Sequence, residues 1–123
     1  MTHVETVSSG YEARPTTLDH ASGMLVRGEV DLSTEPDLSE RLDVAIRESE
    51  GTFVVDLSDL TFLDSTGITV LLRARALLGR EERQLAIICP PGAVRRVFEL
   101  TGCGDLFVLF DSRADAAAAG VGA

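Results

Sequence analysis

The sequence predicts a single α/β domain built on a mixed, mostly parallel central sheet of about five strands flanked by about four helices. Three observations carry that expectation. Short apolar runs such as Phe53-Val54-Val55 and Leu85 to Cys89 alternate with segments of helical periodicity. Strands and helices in alternation imply parallel pairing through right-handed crossovers. The first two strands, by contrast, are separated only by the turn cluster Asp19 to Gly23, so an antiparallel hairpin opens the sheet.

Each element has its own local reason. Residues 1 to 10 are polar and read as a flexible N-terminus. Tyr11 to Thr17 forms a first strand, which Pro15 confines to a sheet edge. Met24 to Val30 is the second. Thr34 and Asp37 have capping-box spacing and Pro36 suits a first turn, so a helix starts there and ends near Gly51. Its apolar side is Leu38, Leu42, Ala45 and Ile46. Thr52 to Leu57 is the third strand, and Ser65 to about Leu78 the second helix, ended by Gly79. Between them, Leu60, Phe62 and Leu63 sit in a loop, where they cover the core or stand exposed as a docking patch. Gln84 to Cys89 is a fourth strand. Pro90-Pro91-Gly92 opens a third helix with Val94, Val97, Phe98 and Thr101 in register, stopped at Gly102. Leu106 to Phe110 is the fifth strand, and Asp111 to Ala119 a short last helix. Residues 11–118 make up the domain, and 119–123 a flexible tail.

At 123 residues the chain can bury one core without staples, and 45% apolar against 25% charged residues make it globular. A net charge of -9 argues against nucleic acid or an anionic membrane as partner and permits a partner with a basic docking face. Uninterrupted apolar runs such as Leu85 to Cys89 are far too short to span a bilayer. The first ten residues lack a basic and an apolar region, so no secretion signal is read and the cytoplasm is the expected location. Cys89 and Cys103 lie in no paired motif and read as small buried hydrophobes. Neither His3 nor His20 falls in a ligand cluster, and the glycines form no nucleotide cradle. No metal and no cofactor are expected.

The most informative stretch runs from Asp56 to Gly67. A buried strand leads through a short loop to Asp64-Ser65-Thr66-Gly67, which opens a helix. Two adjacent hydroxyls thus sit at a helix N-terminus on the carboxyl edge of the sheet, a place that favours negative charge and would accept a phosphate. The alternative is that Asp64 or Ser65 simply caps the helix. Gly67 either permits close approach of a partner backbone or relieves turn strain. Ser65 is implausible as a catalytic nucleophile, because it lacks a nucleophile elbow and no histidine is placed to reach it.

The string Asp56 to Gly67 resembles the signature of STAS domains, named for sulfate transporters and anti-sigma factor antagonists. More narrowly, it is similar to the anti-anti-sigma factors, whose Asp-Ser-Ser/Thr-Gly turn carries a phosphorylated serine. Gly28-Glu29-Val30-Asp31 followed by Thr34-Glu35-Pro36 resembles a second family element, and Asp111 to Ala116 a third. The resemblance implies a STAS-like fold, with Ser65 as phosphoacceptor rather than Thr66. It implies that Asp31 lies beside that serine. The contact surface for a partner would comprise Asp31, Thr34, Phe62, Asp64, Ser65, Thr66 and Gly67. The implied partner is an anti-sigma factor with serine kinase activity, bound while Ser65 is unmodified and released on its phosphorylation, with a serine phosphatase resetting the cycle. The chain would then be no enzyme. The family also offers an alternative, an accessory subunit of a membrane lipid or anion transporter.

Overall fold

In a computed structural model, which describes residues 10–123, the element order is β1 (Glu12–Leu18), β2 (Ala21–Val30), α1 (Glu35–Arg47), β3 (Phe53–Asp56), β4 (Leu60–Leu63), α2 (Ser65–Gly79), β5 (Leu85–Ile88), α3 (Ala93–Leu100), β6 (Val108–Phe110) and α4 (Arg113–Ala118). The N-terminal segment expected to be flexible lies outside the described residues, apart from Gly10. The sheet runs β1-β2-β3-β5-β6, with β4 also on β2. Among the described residues only β1 pairs antiparallel, through a two-residue turn at Asp19 and His20 that joins Leu18 to Ala21. Asp19 takes the positive φ of 52° that so tight a hairpin requires. The turn is therefore shorter than the cluster Asp19 to Gly23 implied, and β2 begins three residues early. Pro15 lies on edge strand β1, where a missing N–H is harmless.

One strand was not anticipated. β4 is short, and its burial runs buried, exposed, exposed, buried, which hides the two-residue alternation that marks a strand. It exists because β2 is ten residues long and outruns β3. β3 pairs with Ser22 to Leu25, and β4 with Gly28 to Val30 beyond a register shift at Gly28/Glu29. Two shorter corrections follow from hydrogen bonding. A 3₁₀ turn, Gly104–Leu106, takes the start of the expected fifth strand. Ser112, whose hydroxyl accepts from Asp115 N at 3.0 Å, caps the last helix, so that helix starts at Arg113.

Alternation along the strands sorts the core into two faces. Phe53, Val55, Leu85 and Ile87 point to the side covered by Leu38, Leu42 and Ile46 of α1, Ile68, Leu71 and Leu78 of α2, and Phe98 of α3. Val54, Ala86 and Ile88 point to the other side, covered by Ala116, Ala117 and Val121. Residues 119–123, expected as a flexible tail, lie against this second face, where Gly122 O accepts from His20 N at 2.8 Å. Cys89 is buried as expected, and burial pushes its thiol up to about 11; Cys103 is only half-buried.

Asp56 follows Val54 onto the thinly covered face and is 1% exposed. Arg113 at the start of α4 reaches it at 2.9 Å and also donates to Thr17 O, while Asp56 Oδ1 accepts from Ser58 N at 2.9 Å. One carboxylate thus anchors both the last helix and the loop that leads to β4. Removing one partner of a buried pair strands the other charge, which typically costs 3–5 kcal/mol. With Arg113 side chain 38% exposed, Arg113→Ala should destabilise the fold by about 3 kcal/mol in urea unfolding, at the low end of that range. Adding Asp56→Asn should recover part of that loss, whereas a strictly additive double mutant would show that the two side chains are not coupled.

Candidate functional site

The site is assembled where β2 and β4 end together. Val30 is the register partner of Leu63, so Asp31 and Asp64 emerge side by side at the carboxyl edge of the sheet. Each turns its carboxylate onto its own backbone. Asp31 Oδ1 accepts from Ser33 N at 2.9 Å, Ser33 Oγ at 2.7 Å and Thr34 N at 3.3 Å. The Ser33 hydroxyl above all, with the two backbone N–H groups, holds its carboxyl below the usual carboxylate range. Asp31 is therefore a fixed negative charge next to the Asp64 turn. The strand ends bring Asp31 and the serine-bearing turn together, though the two make no hydrogen bond with each other among the described residues.

Thr34 stands at the N-cap of α1 without capping it. Its hydroxyl accepts from Asp31 N at 3.0 Å and donates to Glu29 O at 3.1 Å, tying the loop back to β2. The expected capping box fails because Asp37 is engaged elsewhere, accepting from Tyr11 Oη at 2.7 Å and Arg41 Nε at 2.8 Å. An i,i+4 arginine and a tyrosine from the edge of β1 outcompete the helix end for it.

Asp64 does cap its helix. In extended conformation, it places Oδ1 2.9 Å from Thr66 N and 3.2 Å from Gly67 N. This alters the sequence expectation in one respect: two of the N–H groups that would welcome a phosphate are already bonded to a carboxylate. Ser65, the first residue of α2, is exposed, and its hydroxyl makes no hydrogen bond among the described residues. Thr66 is half-buried. Thr69 Oγ1 donates to Ser65 O at 3.1 Å. Between α1 and α2 lies a hollow of about 370 Å³ lined by Glu35, Ser65, Thr66, Thr69, Val70 and Arg73.

Gly67 is buried, and its reason is internal. A Cβ there would lie 2.1 Å from Leu63 Cδ1 and 3.0 Å from Val30 Cγ1, so the close approach that glycine allows is that of α2 onto the two strand ends. The apolar residues of β4 divide between the two readings given them. Leu60 and Leu63 are buried in the core, whereas Phe62 is 46% exposed opposite Glu29. Sequence reasoning passed over Leu32, which stands 75% exposed between Asp31 and Ser33. Its signal was an apolar residue isolated in a polar turn, outside the period of either flanking element.

Among the described residues, no histidine joins Ser65 at this edge. His20 lies at the opposite end of β2, whose ten residues span about 30 Å. Among the described residues no three His, Cys, Asp or Glu side chains are arranged to hold a metal, and no helix is long and apolar enough to cross a membrane.

The arrangement has clear relatives. The STAS domain model matches residues 16–116. An anti-sigma-B factor antagonist of Staphylococcus aureus is 31% identical over 91 residues, covering 74% of this chain and 84% of that protein. One from Listeria monocytogenes is 31% identical over 96 residues, covering 77% and 82%. The crystal structure of an anti-sigma factor antagonist from Mycobacterium paratuberculosis superposes with a TM-score of 0.82 at 29% identity, over 91% of this chain and 95% of that one.

Packing at Gly67 gives a direct test of the geometry. Glycine-to-alanine ordinarily gains close to 1 kcal/mol in a helix. Here Gly67→Ala should instead destabilise the protein by about 1–2 kcal/mol, because overpacking against buried Leu63 outweighs that gain. Combining it with Leu63→Ala should make the glycine substitution less costly. A Gly67→Ala protein that melts higher than wild type contradicts the packing.

Proposed function

The chain belongs to the STAS domain family, and from that premise we propose that it is an anti-sigma factor antagonist: a binding switch, without catalytic activity, that sequesters an anti-sigma factor while Ser65 is unphosphorylated. Sequestration frees a sigma factor for transcription. The observation that carries the reading is Ser65 itself, exposed at the sheet's carboxyl edge with a hydroxyl that makes no hydrogen bond among the described residues, while the neighbouring Thr66 is half-buried. The names of the relatives in Staphylococcus aureus and Listeria monocytogenes support the role.

In this reading the anti-sigma partner is also a serine kinase. It transfers the γ-phosphoryl group of ATP to Ser65 Oγ; the new O–P bond forms as the bond to the β-phosphate breaks, the hydroxyl proton passes to a base on the kinase, and ADP leaves. A serine phosphatase hydrolyses the ester to reset the switch, and the cycle runs in the cytoplasm. Ser65, Thr66, Asp64, Asp31 and Phe62 meet the partner directly. Thr34 and Gly67, both buried, serve the contact by fixing the two loops. The net charge of -9 suits a partner with a basic face.

Phosphorylation adds about -1.5 to -2 charges where Asp31 and Asp64 are already negative. With Thr66 N and Gly67 N held by Asp64, the phosphate gains little from those two, and the mutual repulsion is exposed to solvent. Fold stability should therefore move by less than about 1 kcal/mol. Desolvating the same group at an interface costs several kcal/mol unless a cation meets it, a loss of about a hundredfold or more in affinity. Incubation with the anti-sigma kinase and ATP should label Ser65 alone, and Ser65→Ala should abolish the label. The phosphoprotein should melt like the unmodified protein yet bind the anti-sigma factor about a hundredfold more weakly. Label that persists in Ser65→Ala refutes the residue assignment. Undiminished affinity leaves Ser65 a mere helix residue and favours the transporter-accessory alternative.

A further inference from the structure

Resting on the reading of Ser65 as the modified residue, we propose that Arg73 is the intramolecular receiver of its phosphate. At the start of α2, Thr66 N and Gly67 N are bonded to Asp64, which leaves the phosphate little there beyond Ser65's own N–H. The other charges close to Ser65 are carboxylates: Asp64, Asp31 on the adjoining strand end, and Glu35 across the hollow. Arg73 is the one cation among the residues lining that hollow, and it belongs to the same helix as Ser65.

The geometry allows contact. Eight residues separate the two positions, about 12 Å along the helix axis. Helical side chains lean toward the N-terminus, so the long arm of Arg73 can swing back along α2 toward the hollow that Ser65 lines. At present it crosses to α1, with Nη1 2.6 Å from Ser39 Oγ, one turn beyond Glu35. Its present attachments are modest. Ser39 is neutral, Asp43 Oδ2 stands 3.5 Å from Nη2, and the arginine side chain is 54% exposed. A phosphate offers nearly twice the charge of Asp43 and three oxygens matched to the guanidinium fork. Phosphorylation then does two things at once. It puts an anion beside Asp64 and draws Arg73 off α1, exchanging a tie between helices for one within α2.

The test uses the full chain with phosphoserine encoded genetically at position 65, which requires no kinase. The second pKa of phosphoserine, ordinarily about 6, is read by ³¹P NMR titration. It should lie at least about half a unit lower in the wild-type background than with Arg73→Gln, because a neighbouring cation favours the dianion. Arg73→Lys should fall between them. In the wild-type background the Arg73 Nε–H resonance should titrate with the phosphate, a reading that needs no variant. Identical phosphate titrations with arginine and glutamine at position 73, and an Arg73 resonance indifferent to the phosphate, overturn the proposal. Anti-sigma affinity measured on the same samples tests the parent reading separately. Weakened binding with an Arg73-independent titration refutes only the contact, and an Arg73-dependent titration with unchanged binding refutes only the switch.

Discussion

The serine-bearing turn depends on the two hydrogen bonds that Asp64 Oδ1 accepts from Thr66 N and Gly67 N. They fix where α2 begins, and so fix Ser65 as its first, exposed residue. A cap of this kind contributes about 1 kcal/mol. Its larger consequence is electrostatic. A carboxylate already occupies the helix end, so negative charge added at Ser65 goes outward, to a partner's surface or to a side chain that comes to meet it. The proposed switch, which changes binding while sparing the fold, rests on that one placement.

The cap sits at the edge of the sheet because of how β2 is shared. Its first half pairs with β3 and its last three residues with β4, after a loop secured by the Asp56 carboxylate. The Val30–Leu63 register makes Asp31 and Asp64 neighbours though they are 33 residues apart in sequence, and Gly67 lets α2 settle on both strand ends. Packing, register and capping thus reinforce one another at a single edge. The same Asp56 also holds Arg113 of α4, which links the thin cover of the far face to the loop that precedes β4.

Much of this was legible in the residues. The strands β2, β3 and β5 announce themselves by apolar runs, the helices by period and terminators, and the Asp64 cap by its place before an apolar helix. What escaped depends on tertiary partners. β4 exists because β2 offers an unpaired length of backbone, which its own four residues do not advertise. Thr34 and Asp37 have the spacing of a capping box, but Tyr11, distant in sequence, takes Asp37. Gly67 read as an opening for a partner or as relief of turn strain, whereas its neighbours Leu63 and Val30 lie too close for a Cβ. The hollow holding Ser65 and Arg73 arises from the way two helices are juxtaposed, and no local pattern encodes it.

The central claim is that Asp64 keeps the helix N–H groups whether or not Ser65 carries a phosphate. Amide hydrogen exchange and amide chemical shifts at Thr66 and Gly67, compared by NMR between the unmodified and Ser65-phosphorylated chain, test it most directly. The account predicts that Gly67 N–H keeps its protection and that neither amide shows the downfield shift of a phosphate-bonded N–H. Loss of dependence on Asp64 in the phosphorylated chain, with both amides moving strongly downfield, would show that the phosphate displaces the carboxylate and would contradict it.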